Sequence, residues 1–280
     1  MTMLLPREVH MDAAHFRAIA AMVHDEARIS LSPAKLSLVQ SRLARRLRSR
    51  QVTGFADYVR LVEQDRDERR AMIAVLTTNH TSFFREVHHF DHLRRVALPR
   101  FREQVQAGQS LRIWSAGCSS GEEIYSVAMC LLGDHEREAG WVRGRDVRLL
   151  ATDISLPMVQ AVERAAYSAI GADSVPLAYR AAWMREQGGG ELLMTNLPRQ
   201  LVTARVLNLF AEWPMRHQYD AIFCRNVMIY FDEESRQQLE ARLLAQLAPG
   251  GFLYIGHSER LAGPASRLAR SCGQTIYVKN

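Results

Sequence analysis

Hydrophobic residues recur three and four positions apart through the first third of the chain, which is the spacing of amphipathic helices. No strand-like alternation interrupts residues 10–105. Ser32 followed by Pro33 is a typical helix start, with serine as the N-cap and proline at the first helical position. The pattern predicts a helical domain over residues 10–80, then a linker and connecting helix over residues 81–110. Its helices are predicted through residues 16–23, 36–47, 58–61 and 67–77.

From residue 111 onward, short apolar runs alternate with stretches of helical spacing. This alternation predicts an α/β fold with a mostly parallel sheet that helices cover on both faces. The runs are continuously apolar, as expected of buried parallel strands. The predicted strands are 112–115, 148–152, 202–207, 221–224, 252–255 and 275–278, and the predicted helices are 122–132, 157–166 and 234–247.

One stretch, residues 175–206, fits the alternation of strands and helices poorly. The sequence Gly-Gly-Gly at 188–190 indicates a flexible tip within it. We therefore expect an α/β domain over residues 111–280 that carries a small inserted subdomain over residues 175–206.

The composition is that of an ordinary globular protein. A chain of 280 residues can bury a large core, and no apolar run is long enough to span a bilayer. The four cysteines form no CxxC pair, which favours free thiols in a reducing cytosol over disulfides or a zinc site. Residues 1–11 lack a basic-then-apolar pattern, so we expect no secretory signal and a cytoplasmic protein.

The adjacent histidines His88 and His89 raise the question of a metal site. Neighbouring residues on a helix point to different sides, and no nearby acid or cysteine completes a ligand set in the sequence. We therefore predict a structural role for the pair and no metal site.

Residues 111–123 run from an apolar strand, through a turn of small residues, into the first turn of a helix. This arrangement is typical of the start of a nucleotide-binding α/β domain. Ser119 stands where the second glycine of a dinucleotide fingerprint would lie, and the chain has no P-loop motif. The turn therefore favours an adenosine-type ligand without phosphates, such as S-adenosylmethionine. Such turns also occur without a ligand, so the turn alone leaves that alternative open.

Asp153 directly follows the second predicted strand. An acid at this position commonly accepts hydrogen bonds from both hydroxyls of a ribose. The alternative is an N-cap for the helix that begins near Pro157. Because Ser155 can fill the N-cap role by itself, we expect Asp153 to face a ligand.

Four strings in the sequence closely resemble the chemotaxis receptor methyltransferases, the CheR family, and they occur in the family's order. They are TTNHTSFFRE at 77–86, GCSSGEE at 117–123, YDAIFCRNVMIYFD at 219–232 and GHSE at 256–259. The resemblance extends from residue 12 to the end of the chain.

The resemblance implies a fold, a cofactor and a substrate. The fold is a small all-helical N-terminal domain and a class I, Rossmann-like methyltransferase domain with an inserted antiparallel β-subdomain. The activity is methyl transfer from S-adenosylmethionine to glutamate side chains on the cytoplasmic helices of chemoreceptors, with S-adenosylhomocysteine as product. We expect a monomer that binds no nucleic acid and inserts into no membrane. Some family members also bind a receptor tail peptide through the β-subdomain, and the sequence leaves that open.

The resemblance also implies roles for single residues. Tyr230 matches the family's tyrosine near the transferred methyl group and is the candidate catalytic residue. Arg85 is expected to pair with the carboxylate of the cofactor and Asp153 to hold its ribose. The other candidate cofactor-binding residues are Asn79, Thr81, Gly117, Glu123, Asn208, Leu209, Arg225 and Asn226.

The acceptor chemistry needs no general base. A glutamate carboxylate with a pKa of about 4.3 is ionised at neutral pH and is already nucleophilic. The enzyme has to align the carboxylate with the methyl carbon and the sulfur, and to exclude water. A hydrogen bond from the Tyr230 hydroxyl can orient the carboxylate.

The formal net charge of +6 is compatible with a nucleic acid, a membrane surface or an acidic protein as partner. Residues 32–50 carry six basic side chains and no acid. Arg42, Arg45 and Arg46 share a helical face, which predicts docking of an acidic receptor helix. RNA is the rival partner, although the scarcity of aromatic residues in this helix disfavours it. The alternative functions are a nucleic-acid methyltransferase and a non-catalytic cofactor-binding module that docks on receptors.

Overall fold

The chain folds as two units that are joined between residues 78 and 79. The computed structural model describes residues 10–280, so most of the segment in which no secretory signal is expected lies outside the described residues. One unit ends at Thr78, and the other runs from Asn79 to Asn280. Among the described residues, no helix is both long and apolar enough to cross a membrane.

The described part of the N-terminal unit contains four α-helices, in agreement with the hydrophobic spacing. They are Ala13–Ala27 (α1), Leu36–Ser49 (α2), Phe55–Gln64 (α3) and Arg66–Leu76 (α4). Each buries an apolar stripe, which on α2 consists of Val39, Leu43 and Leu47. Ser32 precedes a 3₁₀ turn at Pro33–Lys35, but its side chain makes no capping hydrogen bond. The proline, with its fixed φ, accounts for the helical start at this place.

The second unit is organised around a seven-stranded sheet. Its strands, in chain order, are Leu111–Ala116 (β1), Val147–Asp153 (β2), Ala166–Ser168 (β3), Met184–Gly188 (β4), Glu191–Met194 (β5), Val202–Val206 (β6), Tyr219–Cys224 (β7), Leu247–Ile255 (β8), Ala269–Gly273 (β9) and Ile276–Lys279 (β10). The order in the large sheet is β6-β2-β1-β7-β8-β10-β9. The first five of these are parallel, whereas β10 is antiparallel to both neighbours. The segments that follow the parallel strands therefore meet at one edge of the sheet.

Seven α-helices belong to the described second unit. They are Val87–His92 (α5), Leu98–Gln106 (α6), Glu122–Leu132 (α7), Leu156–Arg164 (α8), Leu177–Trp183 (α9), Asn196–Leu201 (α10) and Glu233–Gln246 (α11). A π-helical turn at Leu93–Ala97 connects α5 to α6. α7 follows the turn after β1 and is buried along nearly its whole length, so it belongs to the core of the unit.

The predicted α/β fold with a helical N-terminal domain is confirmed. Each predicted strand and helix of the second unit is present, with ends shifted by a few residues. β9 was not predicted. It lies at the edge of the sheet, and Arg270 and Ser271 within it are exposed, so it lacks the apolar run of a central strand.

A separate antiparallel sheet has the strand order β3-β5-β4. Its strands lie between Ala166 and Met194, whereas the subdomain was expected at residues 175–206. It begins at Ala166, where the sequence predicted the end of a helix. At its far end, Val202–Val206 pairs in parallel with β2 and so belongs to the large sheet. Gly189 and Gly190 form the turn between β4 and β5 with φ values of +64° and +76°, which favour glycine.

Candidate functional site

The turn after β1 depends on glycine. The backbone N–H groups of Gly117 and Cys118 both donate to the carbonyl of Thr152 in β2, at 2.8 Å. Gly117 has φ +80°, and a Cβ built on it would lie 2.5 Å from a Val227 methyl group. A larger residue would strain the backbone and collide with the loop after β7. The ends of β1, β2 and β7 therefore lie close together here.

Asp153 is buried at the end of β2, with 7% of its surface exposed. Its carboxylate accepts hydrogen bonds from the backbone N–H groups of Ser119 and Ser155, both at 2.9 Å. The expectation that Ser155 alone caps α8 is wrong, because its side chain makes no capping bond. Burial raises the pKa of Asp153. A carboxylate has about four acceptor positions, so Asp153 can join the glycine turn to α8 and still accept further hydrogen bonds.

Arg225 follows β7 and is the centre of a buried ion cluster, which we call the Arg225 cluster. Its Nη1 lies 2.9 Å from Glu123 Oε2, and its Nη2 lies 3.2 Å from Glu86 Oε2. Nη2 also donates to the main-chain carbonyl of Arg85. The other oxygen of Glu123 accepts a hydrogen bond from the Ser115 hydroxyl at 2.7 Å. The charge of Arg225 is thus shared between two carboxylates of the protein itself.

Glu86 is the acid of this cluster that sequence analysis left without a role. Burial would raise its pKa, but Arg225 and hydrogen bonds from His257 and Asn226 outweigh burial and lower the pKa to about 2. Its Oε1 lies 2.9 Å from His257 Nδ1 and 3.3 Å from Asn226 Nδ2. Glu86 joins the segment before α5 to the loops after β7 and β8. The only signal in the sequence was its place in the string at 77–86.

Glu259, which was also given no role, fixes the loop after β7. Its Oε2 accepts hydrogen bonds from the backbone N–H groups of Gly256 at 2.6 Å and Asn226 at 3.1 Å, and its Oε1 accepts one from Ile229 at 3.3 Å. A Cβ on Gly256 would lie 2.5 Å from the Asn226 side chain. Burial raises the pKa of Glu259, which is 5% exposed. The string GHSE at 256–259 could have pointed to it.

Tyr230 lies at the end of the 3₁₀ turn Met228–Tyr230 in this loop and is half-buried. The next residue, Phe231, packs edge-on against Phe210 with 4.9 Å between ring centroids. The loop that carries Tyr230 is thus held by Glu259 on one side and by an aromatic contact on the other.

The predicted residues Asn208 and Leu209 lie on the segment that follows β6. The N–H of Leu207 donates to the main-chain carbonyl of Asp153 at 2.9 Å. The Asn208 side-chain oxygen accepts a hydrogen bond from the N–H of Phe210 at 2.9 Å, and Leu209 is buried. These contacts place the segment next to the end of β2, as the topology of a parallel sheet requires.

Three further candidates, Asn79, Thr81 and Arg85, lie on the segment before α5. The Ser119 hydroxyl donates to the main-chain carbonyl of Asn79 at 3.0 Å, so this segment touches the glycine turn. Nη1 of Arg85 donates to the carbonyl of His80 at 3.0 Å. Arg85 and Thr81 are both half-buried.

The adjacent histidines lie closer to an acid than the sequence suggested. The rings of His88 and His89 are 4.1 Å apart, and one ligand atom each of Glu86, His88 and His89 lie within 4.8 Å of one another. An acid therefore does lie beside the pair, because the chain bends at Glu86, which has φ +60°. Arg225, 3.2 Å from the Glu86 carboxylate, disfavours a metal cation at this place.

The arginines of α2, which were predicted to dock a substrate, lie in the N-terminal unit. Arg42 donates from Nη1 to the carbonyls of Leu76 at 2.8 Å and Thr77 at 2.9 Å, at the end of α4. These carbonyls have no partner within α4, so Arg42 caps the helix. This contact gives Arg42 a structural role, and its role in docking stays a prediction.

Arg46 is also bound within its own unit. Its Nε lies 3.0 Å from Glu68 Oε1, and its Nη2 donates to Oε2 of the same carboxylate. The Tyr58 hydroxyl donates to Glu68 Oε1 at 2.8 Å. We call these three residues the Arg46 cluster; it gives Arg46 a structural role, and the docking role stays a prediction. Arg45, by contrast, is exposed.

Two family models together match nearly the whole chain. The model described as "CheR methyltransferase, all-alpha domain" matches residues 14–77, and "CheR methyltransferase, SAM binding domain" matches residues 79–278. The boundary between them coincides with the boundary between the two structural units.

Several curated proteins are similar to the chain over most of their length. A probable chemotaxis protein methyltransferase of Rhizobium etli is 41% identical over 262 residues, which cover 91% of this chain and 96% of that protein. Chemotaxis protein methyltransferase 2 of Pseudomonas aeruginosa is 37% identical over 275 residues, covering 97% and 95%. The chemotaxis protein methyltransferase of Escherichia coli is 37% identical over 276 residues, covering 95% and 90%.

Proposed function

Because the chain belongs to the CheR methyltransferase family, we propose that it methylates glutamate side chains of chemoreceptors and leaves them as methyl esters. The observation that carries the proposal is the meeting of three features at one sheet edge. These are the glycine turn after β1, the buried acid Asp153 after β2, and Tyr230 after β7. A turn and an acid suit an adenosine ligand, and a tyrosine beside them suits a transfer step.

The residues of this edge fit S-adenosylmethionine, the cofactor of the family's binding domain. Asp153 offers free acceptor positions for ribose hydroxyls, and Gly117 leaves no side chain over the turn. Arg85 would pair with the carboxylate of the cofactor, for which its forked guanidinium is suited. Asn208 and Leu209 would border the adenine. The remaining lining would come from Asn79, Thr81 and Asn226, with Glu123 and Arg225 holding the floor through their ion pair.

S-adenosylmethionine, when bound, supplies a methyl group on a positively charged sulfur. The protein's own part is to position the acceptor. The Tyr230 hydroxyl would donate a hydrogen bond to the incoming glutamate carboxylate and hold it for in-line attack. The acceptor is ionised at neutral pH with a pKa of about 4.3, so no residue has to remove a proton.

Arg45 would contact the acidic receptor helix, because it is exposed on α2 while Arg42 and Arg46 are bound elsewhere. Arg48 is exposed on the same helix one turn later and would extend that surface. The removal of Arg42 and Arg46 from the basic surface also weakens the case for a nucleic-acid substrate.

The β3-β5-β4 sheet offers a second place for the receptor. Its edge strand β4 has four exposed residues of five. A receptor tail peptide would add there as a further strand, since an unpaired edge presents backbone donors and acceptors.

The test of the function is transfer of label from methyl-labelled S-adenosylmethionine to receptor-containing membranes. Base-labile label on receptor protein supports the proposal. Label in added RNA would establish the nucleic-acid alternative, and cofactor binding without transfer to a panel of receptors would establish a non-catalytic docking module. Receptors with and without their tails test the role of β4.

The ribose assignment predicts that Asp153→Asn raises the dissociation constant for the cofactor about tenfold. This corresponds to a loss of about 1.4 kcal/mol of binding free energy. An amide oxygen can still accept one backbone hydrogen bond, but an uncharged amide accepts ribose hydroxyls less well than a carboxylate. Calorimetry measures the affinity, and a thermal melt shows that the fold is intact. Asp146→Asn, at an exposed acid before β2, is the control. Unchanged affinity in a folded Asp153→Asn protein contradicts the assignment.

A further inference from the structure

Arg242, on α11, binds a loop that lies about 30 residues earlier in the chain, and no sequence motif indicated this contact. Its Nη1 donates to the carbonyl of Leu209 at 2.8 Å, and its Nη2 donates to the carbonyl of Ala211. Its guanidinium carbon lies 4.1 Å from the centroid of the Trp213 ring. All three partners lie on residues 208–213, which we call the adenine loop.

The adenine loop also has contacts of its own, including the hydrogen bond from the N–H of Phe210 to the Asn208 side chain at 2.9 Å. Within it, the N–H of Ala211 donates to the carbonyl of Asn208 at 3.1 Å, and Phe210 packs on Phe231. The loop follows the end of β6, so no ladder of strand hydrogen bonds holds its backbone. Arg242 therefore supplies the side-chain hydrogen bonds to two of its carbonyls.

Trp213 connects Arg242 to Trp114 in β1 and, through Trp114, to the end of β2. Its indole N–H has no hydrogen-bond partner among residues 10–280, so ring contacts are what hold the side chain. One face meets Arg242, and the ring lies edge-on to Trp114 with 4.9 Å between centroids. Trp114 in turn donates from Nε1 to the Thr152 hydroxyl at 2.8 Å, one residue before Asp153.

We propose that Arg242 is a positioning residue for cofactor binding. It holds the adenine loop against the sheet edge, so that the loop and Asp153 can contact the same cofactor. This inference rests on the proposed function, in which Asn208 and Leu209 border the adenine. Arg242 itself points to main-chain carbonyls and to a tryptophan face, so it acts through the loop.

The geometry requires arginine in particular. A planar guanidinium can donate in two directions to two carbonyls and stack on an aromatic ring at the same time. A lysine ammonium is a compact charge that can satisfy one of the carbonyls but has no flat face for Trp213. Arg242→Lys should therefore keep only part of the affinity for the cofactor.

The experiment compares Arg242→Ala and Arg242→Lys in the full chain. We expect Arg242→Ala to raise the dissociation constant for S-adenosylhomocysteine about tenfold by calorimetry, because the loop has to be ordered by the ligand. KM for S-adenosylmethionine should rise in parallel, while kcat at saturating cofactor and KM for the receptor stay within about twofold. Arg242→Lys should fall between Arg242→Ala and the unmodified protein.

Arg236→Ala is the matched control. Arg236 lies on the same helix, and its Nη1 lies 3.3 Å from Glu233 Oε2 on that helix. The proposal is overturned if folded Arg242→Ala binds as tightly as the unmodified protein, or if kcat falls while affinity is unchanged. Should Arg242→Ala not fold, full affinity in Arg242→Lys overturns it equally. Asn208→Ala separates the two hypotheses: if it also leaves affinity unchanged, the loop does not bind adenine and the assignment of the site fails.

Discussion

Each unit of this protein pairs an arginine with at least one buried carboxylate, but the two clusters differ in how completely their buried atoms are hydrogen-bonded. In the Arg46 cluster, both oxygens of Glu68 accept hydrogen bonds from Arg46, and Tyr58 adds a third. In the Arg225 cluster and its neighbour His89, buried atoms lack a hydrogen-bond partner among the described residues. These atoms are Arg225 Nε, His89 Nδ1 and Glu86 Oε2, whose only contact with Arg225 is an ion pair at 3.2 Å without hydrogen-bond geometry.

The difference separates a structural ion cluster from one at a functional edge. Buried polar groups are nearly always paired, so unpaired ones call for an explanation, which is often a ligand or a catalytic role. The Arg46 cluster lies among helices and has no such atoms. The Arg225 cluster lies where β1, β7 and β8 end, beside the candidate cofactor residues. Charge alone, which is what the sequence displays, does not distinguish them.

The largest effect is expected from Arg225→Ala. It leaves Glu86 and Glu123 buried without their counter-ion, and breaking a buried pair in this way costs about 4 kcal/mol of unfolding free energy. Urea unfolding of the full chain measures the loss. Arg143→Ala, at an exposed site, should change the stability by less than about 0.5 kcal/mol. A loss as small as that of the control would mean that the Arg225 cluster contributes nothing to the fold.

Arg46→Ala should cost slightly less, about 3 kcal/mol, because Arg50 Nε lies 3.4 Å from the same Glu68 carboxylate and compensates in part. Urea unfolding again measures it, and the folded fraction should retain its affinity for the cofactor.

Arg45→Glu is the contrasting variant on the same helix. It should leave stability within about 0.5 kcal/mol of the unmodified protein and lower the rate of receptor methylation. If instead Arg46→Ala were fully stable and slowed receptor methylation, the docking role first predicted for Arg46 would be supported.

A further effect concerns pH and His89. His89 Nε2 lies 3.0 Å from the Thr275 hydroxyl, which itself donates to the Gln274 carbonyl, and His89 Nδ1 lies 3.4 Å from Glu86 Oε2. Burial, reinforced by Arg225, lowers the pKa of His89 to about 3. Between pH 6.5 and 3 the unfolded chain therefore binds a proton that the folded protein does not, and stability is lost as the pH falls.

His89→Gln should remove this loss, which for one proton is about 1.4 kcal/mol per pH unit. The amide of glutamine can still donate to Thr275. Urea unfolding at pH 6.5 and 5 compares the slopes, and His217→Gln, at an exposed histidine, is the control. Equal slopes in His89→Gln and the unmodified protein would show that His89 has the same pKa in the folded protein as in the unfolded chain.

Much of the fold could be predicted because its signals are local. The central strands are apolar runs and the helices are apolar stripes, and both are visible within ten or fifteen residues. Edge strands were predicted less well. β9 is at the edge of the large sheet and β3 at the edge of the small one, so their sequences carry little hydrophobic pattern. The inserted sheet was consequently expected some residues too late.

The candidate site divides in the same way. Asp153 and the glycine turn were found because each follows a strand directly, and Tyr230 because it stands in a family string. Glu86 and Glu259 stood in such strings but had no evident partner. Arg242 stood in none, and its contact with Leu209 spans 33 residues.

By itself, the sequence determined the class of fold, the order of the strands and helices along the chain and the family, because these depend on residue types at short and fixed spacings. Only the tertiary structure decided which charges remain available for partners. In the sequence, Arg42, Arg46 and Arg225 cannot be told apart from exposed arginines. In the structure, each donates hydrogen bonds to an acid or a carbonyl at least 22 residues away. Pairing of this kind depends on how distant segments pack, which no local pattern records.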